Sequence, residues 1–106
     1  SVAGFLLVGD SASLDPGLLY HILGSASQAG FVCVVQHIAA DDDSLSSSVR
    51  RLASCLVSGI AIIGNNSITD AVREIAEEYD LPCAYIADID GWNQLICKIE
   101  NTLPQP

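Results

Sequence analysis

Four times along this chain a short, unbroken apolar run gives way to a few polar or glycine residues, and then to a stretch whose apolar residues recur every three or four positions. The first run, Phe5-Leu6-Leu7-Val8, stops at Gly9-Asp10-Ser11. The second, Phe31 to Val35, stops at Gln36-His37, the third, Ile60 to Ile63, at Gly64-Asn65-Asn66, and the fourth, Pro82 to Ala87, at Asp88. Short β-branched runs bounded by turn residues predict strands, and continuous rather than alternating apolar character predicts cover on both faces. The intervening stretches predict amphipathic helices. Their stripes are Leu18, Leu19, Ile22, Leu23 and Ala26; Leu45, Val49, Leu52, Ala53 and Leu56; Ile68, Ala71, Val72, Ile75, Ala76 and Tyr79; and Trp92, Leu95, Ile96, Ile99 and Leu103.

Local punctuation supports these boundaries. Asp15-Pro16 is a helix start, with a side-chain acceptor at the cap and a proline where its missing N–H costs nothing. Gly30 suits the left-handed stop of that helix. Asp41-Asp42-Asp43-Ser44 offers caps and negative charge to the second helix, whose Ser46-Ser47-Ser48 run reads as a solvated face and whose end reads as Gly59. Ser67-x-x-Asp70 approximates a capping box for the third helix, and Pro82 stops it.

Strand and helix alternating four times, with short connections, calls for parallel strands and right-handed crossovers. The expected fold is a three-layer, doubly wound α/β domain with four strands in the order 2-1-3-4, similar to flavodoxins and response-regulator receivers. The second and third helices would cover one face, the first and fourth the other. All four strands then end at one edge, where ligands gather in such sheets.

Composition narrows the function. The 106 residues, half of them apolar, suit one domain with one core. With 13 acids against 4 scattered bases, net −9, the chain lacks the clustered Lys and Arg that nucleic acid requires. No run approaches the roughly 20 apolar residues that cross a bilayer, and no signal-peptide pattern opens the chain. Cys33, Cys55, Cys83 and Cys97 form no C-x-x-C pair, so buried, reduced thiols and a cytoplasmic location are expected. The missing initial methionine suggests a processed protein or a domain cut from something longer.

At the common edge, Ser11 and His37 end neighbouring strands and are candidates for nucleophile and general base. Asp70 or Asp88 would supply the orienting acid, and backbone N–H groups near Ser11 the oxyanion donors. Gly9, Asp10, Ser11, Asn65, Asn66 and Asp88 are the candidate residues for binding a ligand or partner. Asp10, Asp41 and Asp88 share the edge, but nothing in their spacing demands a cation, and no metal or cofactor is expected. His21 reads as a surface residue.

Gly9-Asp10-Ser11, followed across one helix by Val34-Val35-Gln36-His37-Ile38, resembles the effector domain of the CheB chemotaxis methylesterases. The resemblance covers about half the chain, from Phe5 to Leu56, and implies a catalytic role for Ser11 and His37. The family's serine loop continues with threonine and paired glycines, whereas this one runs Ser11-Ala12-Ser13-Leu14. Its acid lies in a Gly-Met-Gly-x-Asp-Gly loop, whose nearest counterpart here is Gly64 to Asp70. Gly9-Asp10-Ser11 with Gly64-Asn65-Asn66 also looks like two blocks of the GDSL-type hydrolases, but no histidine follows His37. The order of elements is similar to a receiver, with Asn65 where the phosphorylated aspartate would stand. Sugar-phosphotransferase B subunits share the topology, with a cysteine where this chain has Asp10-Ser11. A scaffold signature beside incomplete catalytic sets leads to a small regulatory or protein-interaction domain of a signalling system, without turnover; the alternative is a serine esterase. The expected partner is another protein, and an exposed edge strand invites self-association.

Overall fold

The computed structural model describes residues 2–9, 14–39 and 43–102. Strands β1 (Val2–Val8), β2 (Val32–Ile38), β3 (Gly59–Ile63) and β4 (Cys83–Tyr85) alternate with helices α1 (Pro16–Gln28), α2 (Leu45–Ser54), α3 (Thr69–Glu78) and α4 (Ile89–Thr102). The sheet is wholly parallel in the order β2-β1-β3-β4, as expected. Strand parity divides the core in two. Phe5, Ala61 and Ile63 face Ile22 and Ala26 of α1 and Trp92, Leu95 and Ile99 of α4. Leu6, Val8, Ile60 and Ile62 face Val49 and Leu52 of α2 and Val72 and Ala76 of α3.

Trp92 anchors the first half. It is fully buried, its ring lies 5.4 Å from that of Phe5, and its indole N–H donates to Ser25 Oγ at 3.1 Å. The hydroxyl supplies what a buried indole needs, and it joins α4 to α1 across the face they share.

Several boundaries differ from the sequence reading. The second strand is not covered on both faces: the strand order puts it at the sheet's edge, with Val32 66% and Val35 49% exposed. Helix α2 ends well before Gly59. Leu56 takes the left-handed turn itself (φ 61°) and stands 84% exposed, outside the stripe assigned to it. Gly59 belongs instead to β3, where a Cβ would lie 2.7 Å from Ile99 Cδ1, so its lack of side chain lets α4 pack down on the strand. Ser48 is buried rather than solvated. The Ser67/Asp70 capping box does not form: Ile68 occupies the cap without a side-chain bond. Ala71 and Tyr79 of the third stripe are exposed. The fourth strand spans three residues of the six expected. All four cysteines are free, but Cys55 and Cys97 are exposed rather than buried. Ser44, at the α2 cap, makes no side-chain cap bond there, while Asp41, Asp42 and Leu103 lie outside the described residues. Among the described residues, no helix is long and apolar enough to cross a membrane.

Candidate functional site

The carboxyl edge is built around two glycines. Gly9 ends β1 at φ 103° and Gly64 follows β3 at φ 109°, backbone that side-chain-bearing residues rarely adopt. A Cβ on Gly64 would sit 2.3 Å from the Val8 carbonyl oxygen and 2.9 Å from Leu14 Cδ2. The ends of β1 and β3 therefore approach as closely as backbone allows, with Leu14 against the same point.

On the other side of β1, the Gly9 N–H donates to the Ile38 carbonyl at 2.9 Å. The Gly9 carbonyl accepts from His37 Nε2 at 2.5 Å. A carbonyl can only accept, so Nε2 holds the proton in this contact, and the lone pair of a neutral ring lies on Nδ1. His37 pairs in register with Leu7 and shares its face, the α1/α4 side. The imidazole thus clasps the residue that opens the Gly9-Asp10-Ser11 segment. Asp10 and Ser11 themselves lie outside the described residues.

The proposed acids do not join it. Asp70 lies in the first turn of α3, on the opposite face of the sheet, exposed and paired with Arg73 at 3.3 Å. Asp88 follows β4, three strand spacings from β2, or about 14 Å. Its Oδ1 accepts from the Gly91 N–H at 2.8 Å, capping α4. The ion pairs among the described residues are Arg50–Glu78 and Arg73–Asp70, and neither involves His37.

The remaining rim residues also hold backbone. Asn65 Oδ1 accepts from the Ser67 N–H at 2.8 Å, an Asx turn, and the Asn66 carbonyl accepts from Thr69 N–H at 3.2 Å. Asp15 Oδ1 caps α1 through Gly17 and Leu18 N–H at 2.9 and 3.2 Å. No group of three or more potential metal ligands gathers among the described residues; of the three aspartates weighed for a cation, Asp10 and Asp41 lie outside them.

One residue escaped the sequence reading, and His21, read as a surface residue, is exposed as expected but lines a cleft. Tyr85 of β4 donates its hydroxyl to the Gly64 carbonyl at 3.3 Å, bracing the turn before Asn65. His21 lines an open cleft of about 460 Å³ between the starts of α1 and α4, with Leu18, Ile89 and the capping Asp15 and Asp88. Asp15 was legible as a cap and Asp88 only as a residue after the fourth strand; that they face one cleft depends on α1 and α4 sharing a face. Comparison of the chain with protein-family models and with curated proteins finds no match.

Proposed function

We propose that this domain works by binding another protein at the carboxyl edge of its sheet, as a regulatory module of a signalling system, without turnover. The observation that carries this reading is the donation from His37 Nε2 to the Gly9 carbonyl. A general base must turn a lone pair to the nucleophile, and this nitrogen is engaged as a donor. The remaining polar groups of the rim support the same reading: Asn65, Asp15 and Asp88 spend their acceptors on turns and helix caps. They give a stable, polar, acidic surface on rigid supports, of the kind a partner can dock on. Four free thiols suit a cytoplasmic setting.

A serine esterase is the second reading, favoured by one contact: His37 reaches the residue that begins the Ser11 segment. In that case Nδ1 would be the base and Ser11 the nucleophile. Labelling with a fluorophosphonate separates the two. A binding module remains unlabelled. Stoichiometric labelling at Ser11, lost in Ser11→Ala and His37→Ala, would establish the esterase. For the binding reading, a partner retained from native extract should be lost with Asn65→Arg or Asp88→Arg and kept with Arg73→Ala. Equal retention by all three rejects the carboxyl edge as the docking surface.

A further inference from the structure

All 13 acidic and all 4 basic residues lie outside residues 16–40. That window is α1 and β2, which pack against each other at one flank of the molecule. On this uncharged flank stand Tyr20, 82% exposed, and the two exposed valines of β2. Depletion of charge beside exposed apolar and aromatic side chains is the compositional mark of an interface core.

The backbone of β2 is open on the same flank, since β1 is its sole strand neighbour among the described residues. Ile38 turns its carbonyl to β1, where Gly9 donates to it. Alternation along a strand then sends the N–H and C=O groups of Cys33, Val35 and His37 outward, while those of Val34 and Gln36 face β1. These seven residues contain no proline, lysine or carboxylate, the devices that normally blunt an edge. The opposite edge is blunted: β4 has three residues and follows Pro82.

We infer that β2 is where two copies of this chain meet, antiparallel about a twofold axis through Val35, joining two four-stranded sheets into one. The occupant is argued from charge. Each copy carries −9, so approach through the acidic faces sets like charges together, whereas this flank brings none. The strand is also its own complement. With Val35 opposite Val35, Cys33 of one copy stands opposite His37 of the other, and the outward groups form roughly six backbone hydrogen bonds. The Val35 side chains meet at a Cα separation of about 5.5 Å, and Val32 falls opposite Ile38. An isologous contact of this kind closes as a dimer and leaves no open β2 edge for further growth. It engages the backbone of His37 but leaves the rim at Asn65 and Asp88 free, so it stands whether or not that part of the rim binds a protein.

Sedimentation equilibrium of the full chain, from low-micromolar to near-millimolar concentration, tests this. A reversible monomer–dimer equilibrium is expected. Val35→Lys should be monomeric throughout, although it lowers the net negative charge, while Ala71→Lys, with the same charge change on the exposed side of α3, should dimerise like wild type. A monomer at every concentration, or a dimer that survives Val35→Lys, overturns the inference. Should Val35→Lys fail to fold, residue-resolved amide exchange of the wild-type chain decides. Protection at Cys33, Val35 and His37 should rise with concentration while Val34 and Gln36 stay constant; unchanged protection at all five overturns it.

Discussion

Adding one methyl group at Gly64 should cost far more than adding the same group at Gly24, with opposite sign. At Gly64 the new Cβ would lie 2.3 Å from a backbone oxygen, that of Val8, and 2.9 Å from Leu14 Cδ2. Leu14 can rotate away; the Val8 carbonyl can retreat only if β1 and β3 part. Overpacking a rigid site costs about 1–3 kcal/mol, and placing an L-residue at φ 109° adds about 1–2 kcal/mol. Gly64→Ala should therefore lose about 2–5 kcal/mol, a large share of the roughly 5–15 kcal/mol that holds a small domain together. At Gly24, inside α1, nothing lies within 4 Å of the added Cβ, and replacing a helical glycine by alanine gains about 0.5–1 kcal/mol. Urea unfolding followed by the fluorescence of Trp92, the single tryptophan and fully buried, reads both. With a slope of about 1–2 kcal/mol/M, Gly64→Ala should lower the midpoint by at least roughly 1 M, and Gly24→Ala should raise it. Near-identical midpoints for Gly64→Ala and wild type would refute the close approach of β1 and β3 on which the rim is built.

Asp15→Ala and Asp88→Ala should each cost about 1 kcal/mol by loss of a helix cap, read as urea midpoints, and the double variant should be additive if the two aspartates act only as caps. Burial pushes the Cys83 thiol from 9.0 up to about 11, against a small opposing pull from Arg73. The unfolded chain then gives up that proton first, so the thiol's contribution to stability is constant below pH 9 and falls between pH 9 and 11, by roughly 2 kcal/mol. Urea midpoints across that range should show the fall in wild type and lack this component in Cys83→Ala. The Arg50 guanidinium, 2.7 Å from Glu78, holds that carboxyl below its ordinary range. Its contribution is therefore present at neutral pH and lost as pH falls through the Glu78 titration; because the pair is exposed, Arg50→Ala should lower the melting temperature slightly, and less at molar salt.

How much of this was legible depended on whether the cause was local. Asp15-Pro16 and Gly30 act within one turn, and both did what their positions in the chain suggested. The order of strands followed from four repeats of one unit. By contrast, the apolar run from Val32 to Val35 looks like a buried strand in isolation, and only its place beside β1 alone leaves it half uncovered. Gly59 resembles a helix stop, yet its reason is Ile99, forty residues away in sequence and in contact through α4. Leu56 takes the left-handed turn that a glycine was expected to make. At the rim, the positions of His37, Asn65 and Asp88 at the ends of strands could be read, but not their partners. Asn65 holds Ser67 and Asp88 holds Gly91 because the turns bring those N–H groups within reach. The charge-free window from 16 to 40 was in plain view, but its meaning required knowing that α1 and β2 share a flank.

The protonated nitrogen of His37 is the most direct test. Long-range nitrogen–proton correlation spectra of the imidazole, recorded at mildly alkaline pH where a histidine ring is neutral, distinguish the two tautomers. The His37–Gly9 contact predicts a proton on Nε2, with its resonance displaced in a variant whose Gly9 turn is altered. A proton on Nδ1, which leaves Nε2 unable to donate to Gly9, would contradict that contact and the reading built on it.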